Sequence, residues 1–189
     1  VITALTAQNT EGVQDIQEID PKFIEKQINS ILEDIGVDVI KVGMLFNTSV
    51  IKTVARCLLE IKNCSIVLDP VMYAKSGDPL LQDDAVKSIK NDLFPLATII
   101  TPNIPEAEAL LDYSIESSES MQQAAIDLNK LVPKAVVVKG GALSARTSDD
   151  CLVIEGGNPQ WLKQERIETK NLHGAGCTFS SAVAAFLAR

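Results

Sequence analysis

Residues 134–141, Lys-Ala-Val-Val-Val-Lys-Gly-Gly, carry the clearest strand signal in the chain. Four consecutive apolar residues, from Ala135 to Val138, are typical of a strand that is covered on both faces of its sheet. Lys139 follows them directly, and a lysine in that position is not a typical solvated surface charge. The stretch therefore predicts a buried parallel strand with a polar residue at its carboxyl end.

Similar strands alternate with amphipathic helices along the chain. The predicted strands lie in residues 1–7, 37–45, 64–70 and 97–103, and an antiparallel pair is predicted in 150–157 and 160–168. The predicted helices lie in residues 20–36, 48–62, 83–95, 105–112 and 120–132, with a last helix from about residue 176. This alternation predicts an α/β fold with a mostly parallel central sheet covered by helices on both faces. Ligands in such folds bind beyond the carboxyl ends of the strands.

The helix predicted over residues 20–36 has clear end signals. Asp20 can cap its start, Pro21 suits its first turn, and Gly36 can end it. Apolar residues recur at helical spacing and predict one buried face: Phe23, Ile24, Ile28, Ile31, Leu32 and Ile35.

Composition narrows the class of protein. The 189 residues are 46% hydrophobic, which suits one globular domain, and the formal net charge of −8 argues against a nucleic-acid partner. No apolar run reaches the roughly 18 residues that a membrane span needs. The four cysteines form no Cys-x-x-Cys pair and only one histidine is present, so we do not expect a zinc site. Free cysteines suit a reducing compartment, and we expect the protein to be cytoplasmic. The chain opens on an apolar stretch without Met, and we expect it to be cut from a longer polypeptide.

The C-terminal stretch Gly174-Ala175-Gly176-Cys177 precedes a helix of small residues. The unpaired amides and positive dipole of a helix start would stabilise an anion there. The alternative is a tight turn that only lets the helix pack close to the sheet. A thiol in the first helical turn favours the thiolate, whereas most free cysteines are small buried apolar residues. The local sequence leaves both questions open.

Six stretches together resemble the hydroxymethylpyrimidine/phosphomethylpyrimidine kinases of thiamine biosynthesis, in the ribokinase superfamily. They occur in family order over nearly the whole chain: residues 3–13, 41–45, 67–81, 101–111, 136–141 and 170–188. The resemblance implies a ribokinase-like three-layer α/β/α sandwich and ATP-dependent phosphorylation of a hydroxymethyl aminopyrimidine and then of its monophosphate, with Mg²⁺. It also implies a cysteine, here Cys177, where most ribokinase relatives have an aspartate base.

The resemblance assigns the substrate-facing roles. Gln8 corresponds to the family's pyrimidine-binding glutamine, and Met44 to a residue that packs on the ring. Taken alone, Gln8 is an ordinary strand-end polar residue and Met44 an ordinary core residue. The amides of residues Gly174 to Cys177 would form the anion hole, and they would neutralise charge on the moving phosphoryl group together with Mg²⁺ and Lys139.

The nucleotide and metal roles fall on other strand ends. Asp69, Asn103 and Lys139 are implied to lie near the nucleotide phosphates, with Lys75 in a loop over them. Glu106, at the end of the Asn-x-x-Glu motif, is implied to organise Mg²⁺ through water. Its ordinary role would be to support a helix start, where an acidic residue is favourable.

Departures from the family pattern leave some expectations open. Leu172 and Ala175 stand where threonines are usual, and Ala175 lacks a hydroxyl that could touch phosphate. The family begins upstream of Val1 and continues past the last helix, so residues 1–189 are expected to form one kinase domain without its N-terminal segment and C-terminal end. Relatives are often homodimers. The alternatives are a pyridoxal kinase of the same superfamily and a non-catalytic nucleotide-binding protein.

Overall fold

The computed structural model describes residues 1–74, 76–82, 84–132, 134–141, 143, 146–169 and 171–189. Within that part of the chain, a two-stranded antiparallel hairpin is formed by β1 (Ala4–Gln8) and β2 (Val13–Glu18). A separate six-stranded sheet has its strands in sequential order: β3 (Val39–Val42), β4 (Ser65–Leu68), β5 (Ile99–Ile100), β6 (Ala135–Val138), β7 (Asp150–Ile154) and β8 (Gln160–Leu162). Strands β3 to β6 are parallel, and β7 and β8 complete the sheet as antiparallel neighbours.

The helices are α1 (Pro21–Asp34), α2 (Thr48–Leu59), α3 (Ala85–Ser88), α4 (Ile104–Leu111), α5 (Ser118–Asn129) and α6 (Ala175–Leu187). Helices α2 to α5 lie between the parallel strands, whereas α1 precedes β3 and α6 follows β8. The helix predicted over residues 83–95 is α-helical only in α3, and it continues as a π turn (Ile89–Leu93) and a 3-10 turn (Phe94–Leu96). The mostly parallel sheet and the antiparallel C-terminal pair are confirmed.

Successive side chains along each strand point to opposite faces of the sheet, and a separate apolar core lies on each face. In β4, Ile66 and Leu68 face the large core formed with α1 to α5, whereas Val67 faces a smaller core under α6. Val137 of β6 and Ala184 of α6 belong to the smaller core as well. Helices therefore cover both faces of the sheet, as the strand pattern predicts.

The start of α1 forms as predicted, but its buried face is narrower. The Asp20 carboxylate accepts hydrogen bonds from the backbone N–H groups of Lys22 and Phe23. Ile24 is fully buried, but Phe23 is 57% exposed and Ile35 is 78% exposed. Phe23 points about 100° away from Ile24 around the helix. Ile35 is the C-cap residue, beyond the last turn of α1. Strand β2 is an element that the sequence patterns did not predict.

None of the helices in the described ranges is both long and apolar enough to cross a membrane.

Candidate active site at the carboxyl edge of the sheet

A buried carboxylate organises the carboxyl edge of the sheet. Asp69 follows β4 and is 1% exposed. Its Oδ1 accepts from Lys139 Nζ at 2.9 Å and from Thr101 Oγ1 at 3.3 Å, and its Oδ2 accepts from Ser180 Oγ at 3.0 Å. Lys41 Nζ lies 3.9 Å from Oδ2. Asp69 thus joins three strand ends to α6, and it is charge-compensated as a buried carboxylate must be.

Lys139 lies where its sequence position predicted. It follows β6, its backbone N–H donates to the Pro102 carbonyl, and its side chain is only 16% exposed. A Cβ added at Gly176 would lie 3.4 Å from Lys139 Nζ, so the start of α6 passes directly beside the ammonium group. Lys139 therefore brings positive charge to the helix start as well as to Asp69.

The Asn-x-x-Glu motif forms a capping box at the start of α4. Glu106 Oε2 accepts from the Asn103 backbone N–H at 2.8 Å, and Asn103 Oδ1 accepts from the Glu106 backbone N–H at 2.9 Å. Burial raises the pKa of the Glu106 carboxyl to about 7, although the Asn103 hydrogen bond and the Lys139 charge act to lower it. Glu106 supports the helix start and also places a proton-sensitive carboxyl beside Asp69 and Lys139.

The geometry of the turn into α6 explains why Gly174 and Gly176 are glycines. Gly174 is the N-cap with φ 78°, a conformation that favours glycine, while Gly176 allows the close approach to Lys139. One expectation is corrected here: the Ala175 N–H donates to the Leu172 carbonyl, so it is already used inside the turn. The N–H groups of Gly176 and Cys177 make no hydrogen bond within the described part of the chain. These two amides remain for an anion.

The Cys177 thiol is exposed, which corrects the alternative of a small buried core residue. The Ser180 hydroxyl, which donates to Asp69, also lies within hydrogen-bond distance of the Cys177 carbonyl. An exposed thiol in the first turn of a 13-residue helix lies in the positive end of the helix dipole. The arrangement can stabilise negative charge on a ligand beside the thiol.

The predicted substrate residues lie on other elements. Gln8 ends β1, is partly buried and pairs with Val13 across an irregularity in the hairpin. Met44 follows β3 and is partly buried, and its carbonyl accepts from the Thr3 hydroxyl at 2.7 Å. The Val13 N–H donates to Asp78 Oδ2 at 2.9 Å, which attaches the hairpin to the loop that follows β4.

Some residues of the site were not predicted. Lys41 is a lone charge in an apolar strand, the same signal that marked Lys139, and could have been found that way. Thr101 directly follows β5, two residues before the predicted Asn103. Ser180 lies in a helix of small residues, where nothing in the sequence indicates which way its side chain points. Lys75 lies outside the described residues.

The sequence is similar to those of known proteins over its whole length. The family model for phosphomethylpyrimidine kinase matches residues 1–189. The chain is 47% identical over 189 residues to the thiamine biosynthesis bifunctional protein ThiED of Geobacter sulfurreducens, covering all of this chain and 38% of that protein. It is 44% identical over 190 residues to the Escherichia coli K12 protein named hydroxymethylpyrimidine/phosphomethylpyrimidine kinase, covering all of this chain and 71% of that protein.

Solved structures show the same fold. The pyridoxal kinase of Staphylococcus aureus in complex with AMP-PCP superposes with a TM-score of 0.88 at 31% identity, over 99% of this chain and 68% of that one. The ribokinase-like fold predicted from the resemblance is therefore confirmed. The chain spans well under half of the bifunctional relative and about 70% of the single-function ones.

Proposed function

The chain belongs to the phosphomethylpyrimidine kinase family, and from that premise we propose that its protein transfers the γ-phosphoryl group of ATP to hydroxymethylpyrimidine and then to the monophosphate. The observation that carries this proposal is the start of α6. Two free backbone amides, an exposed thiol and a partly buried lysine lie there close to Asp69. In-line phosphoryl transfer needs positioning and charge stabilisation of this kind.

In the first step, Cys177 accepts the proton of the substrate hydroxyl. The hydroxymethyl oxygen forms a bond to the γ-phosphorus while the bond from that phosphorus to the β–γ bridging oxygen breaks. The bridging oxygen leaves with the electron pair as part of ADP, and the hydroxyl proton passes to the thiolate. The Gly176 and Cys177 amides and the Lys139 ammonium stabilise charge on the phosphoryl oxygens. In the second step, a phosphate oxygen of the monophosphate replaces the hydroxyl as nucleophile.

The carboxylates fit Mg²⁺ through water rather than by direct ligation. The Asp69 oxygens accept from Lys139, Ser180 and Thr101, and Glu106 is engaged in the capping box. The described residues contain no group of three or more His, Cys, Asp or Glu side chains placed to hold a metal ion. Mg²⁺ is commonly held by one or two carboxylates, waters and substrate phosphates, and it neutralises phosphate charge when bound. Asp69 and Glu106 would hold its water shell.

One edge of the substrate ring would bind Gln8, and one face of the ring would pack on Met44. A glutamine amide offers a donor and an acceptor to the ring nitrogen and amino group of an aminopyrimidine. A methionine provides a polarisable apolar surface for the ring. The names of the curated relatives support this substrate, whereas the structural neighbour named pyridoxal kinase makes pyridoxal the competing substrate.

Substrate comparison tests this proposal in the full-length protein. Steady-state turnover is measured with MgATP and either hydroxymethylpyrimidine or pyridoxal under identical conditions. We expect a clear preference in kcat/KM for hydroxymethylpyrimidine. A preference for pyridoxal would contradict the substrate assignment, and nucleotide binding without transfer to either compound would support the non-catalytic alternative.

A further inference from the structure

Lys41 is a charged residue inside the strand β3 that none of the roles above uses. Its neighbours Ile40 and Val42 pack in the large core, so by alternation Lys41 points to the opposite face of the sheet, where α6 lies. Its side chain is 20% exposed. A lysine is rarely placed so deeply unless its ammonium group has a partner.

The interaction with Asp69 does not explain why Lys41 is placed so deeply. Lys41 Nζ lies 3.9 Å from Asp69 Oδ2, beyond hydrogen-bond distance, and makes no hydrogen bond within the described ranges. The Asp69 carboxylate already accepts three hydrogen bonds, including the 2.9 Å bond from Lys139. Lys41 therefore has three N–H donors available beside a carboxylate that does not need them.

The charges around Asp69 favour an anion. Two ammonium groups, on Lys41 and Lys139, flank one buried carboxylate. The two lysine charges outnumber the single charge of the carboxylate that they flank, and Lys139 lies next to the free amides at the start of α6.

Lys41 and helix α6 meet at the same oxygen of Asp69. The Ser180 hydroxyl, in the second turn of α6, donates to the same Asp69 oxygen that Lys41 approaches, and it also contacts the carbonyls of Gly176 and Cys177. Lys139 approaches the other Asp69 oxygen. Lys139 also lies beside the first turn of α6, whereas Lys41 approaches that helix at the Asp69 oxygen to which Ser180 donates.

We infer that Lys41 is a further phosphoryl-binding residue, whose ammonium group donates a hydrogen bond to a non-bridging oxygen of the phosphoryl group in transit. This inference rests on the proposed function and adds no bond change to it. The phosphorus–oxygen bond that forms and the one that breaks are those already described, and Lys41 keeps its proton throughout. Its contribution is greater when charge spreads onto the phosphoryl oxygens than when nucleoside diphosphate alone is bound.

Gly43 provides a way to move this ammonium group without removing it. A Cβ at Gly43 would lie 2.6 Å from Lys41 Nζ, so the ammonium group must shift in Gly43→Ala. The obstructing atom is the far end of a flexible side chain, and Gly43 is not among the glycines with positive φ. The substitution is therefore expected to displace Lys41 while leaving the fold intact.

The experiment compares Lys41→Met, Gly43→Ala and the control Lys52→Met, an exposed lysine on α2, in the full-length protein. Thermal unfolding reports the fold. Calorimetry measures the affinities for ADP and for AMP-PCP, a non-transferable probe with three phosphates, and single-turnover assays measure transfer to hydroxymethylpyrimidine. We expect Lys41→Met to lose about 10- to 100-fold in transfer rate, as for a lost charged hydrogen bond, and to weaken AMP-PCP more than ADP. Gly43→Ala should also lower the transfer rate and weaken AMP-PCP binding more than ADP binding, by smaller factors.

Three outcomes would overturn the inference. If Lys41→Met matches Lys52→Met in transfer rate and in the ratio of the two affinities, Lys41 does not bind the phosphoryl group. If Lys41→Met only lowers the unfolding temperature while Gly43→Ala behaves as wild type, Lys41 is a counter-ion for Asp69. If the wild-type protein neither binds AMP-PCP nor transfers phosphate, the proposed function fails together with this inference. Wild-type transfer with an unaffected Lys41→Met variant overturns this inference alone.

Discussion

Asp69 and Lys139 lie at the ends of interior strands, whereas Gln8 lies on a two-stranded hairpin that does not pair with the main sheet. Side chains at the interior strand ends are held by the core beneath them and by short hydrogen bonds to one another. The hairpin is mostly exposed. The charged half of the candidate site is thus built into the main sheet, while the half that would recognise the substrate lies on a separate hairpin.

A few individual contacts attach the hairpin to the rest of the protein. The Thr3 hydroxyl donates to the Met44 carbonyl, the Val13 N–H donates to Asp78, and the Asn47 amide donates to Glu18 at 2.7 Å. Such isolated hydrogen bonds contribute about 1 kcal/mol each, much less than a shared apolar core. Substitutions at the strand ends should therefore change the rate of transfer, and substitutions in the hairpin should change substrate affinity.

The largest effect is expected at Cys177. Cys177→Ala removes the proton acceptor but keeps the backbone amides, so transfer to hydroxymethylpyrimidine should fall about 10²- to 10⁴-fold while nucleotide affinity stays nearly unchanged. Cys177→Asp should recover part of the rate, because a carboxylate can accept the proton and suits a helix N-terminus. Cys177→Ser should be poor, since a hydroxyl is far less acidic than a thiol. Single-turnover transfer of the three variants measures this.

An intermediate effect is expected at Glu106. Glu106→Gln keeps the volume of the side chain and an acceptor for the Asn103 N–H, but it removes the negative charge that would organise the water shell of Mg²⁺. Losses of such outer-shell groups are commonly about 10- to 100-fold. Transfer at saturating Mg²⁺ should fall by this factor. If it does not change, Glu106 only supports the start of α4.

The same variant has a predicted signature in stability against pH. Because the pKa of Glu106 is raised on folding, from 4.5 to about 7, the folded state binds more protons than the unfolded state between these values. The stability contributed by wild-type Glu106 therefore falls as pH rises from about 4.5 to about 7, at up to about 1.4 kcal/mol per pH unit, and levels off above that. Denaturant unfolding at several pH values should show this slope in wild type and not in Glu106→Gln.

The smallest effect is expected in the hairpin. The Gln8 side chain makes no hydrogen bond within the described residues, so Gln8→Ala should leave the unfolding temperature nearly unchanged. Loss of one or two hydrogen bonds to the pyrimidine should raise the KM for hydroxymethylpyrimidine about tenfold. The KM for ATP should stay the same, and kcat should change little. A large fall in kcat with constant KM would show that the hairpin, like the strand ends, acts on the transfer step and not on substrate affinity.

Much of the sheet was predictable because buried parallel strands are continuous apolar runs. β6 and the position of Lys139 follow directly from the apolar stretch 135–138. β2 was missed because its residues are mostly polar and exposed, so its pairing with β1 has no apolar pattern. The contact between Ser180 and Asp69 joins residues 111 positions apart, and no local pattern encodes it. The single-domain organisation and the homodimer remain predictions.

The central claim is that Cys177 accepts the hydroxyl proton in the first phosphorylation. The second phosphorylation provides an internal control, because the attacking phosphate oxygen of the monophosphate is largely deprotonated near pH 7 and needs no base. The direct test is the single-turnover rate of Cys177→Ala with hydroxymethylpyrimidine and with its monophosphate, each relative to wild type. A loss of about 10²- to 10⁴-fold in the first step and a much smaller loss in the second is the predicted result. Equal losses in both steps, or a near wild-type rate in the first, would contradict the claim.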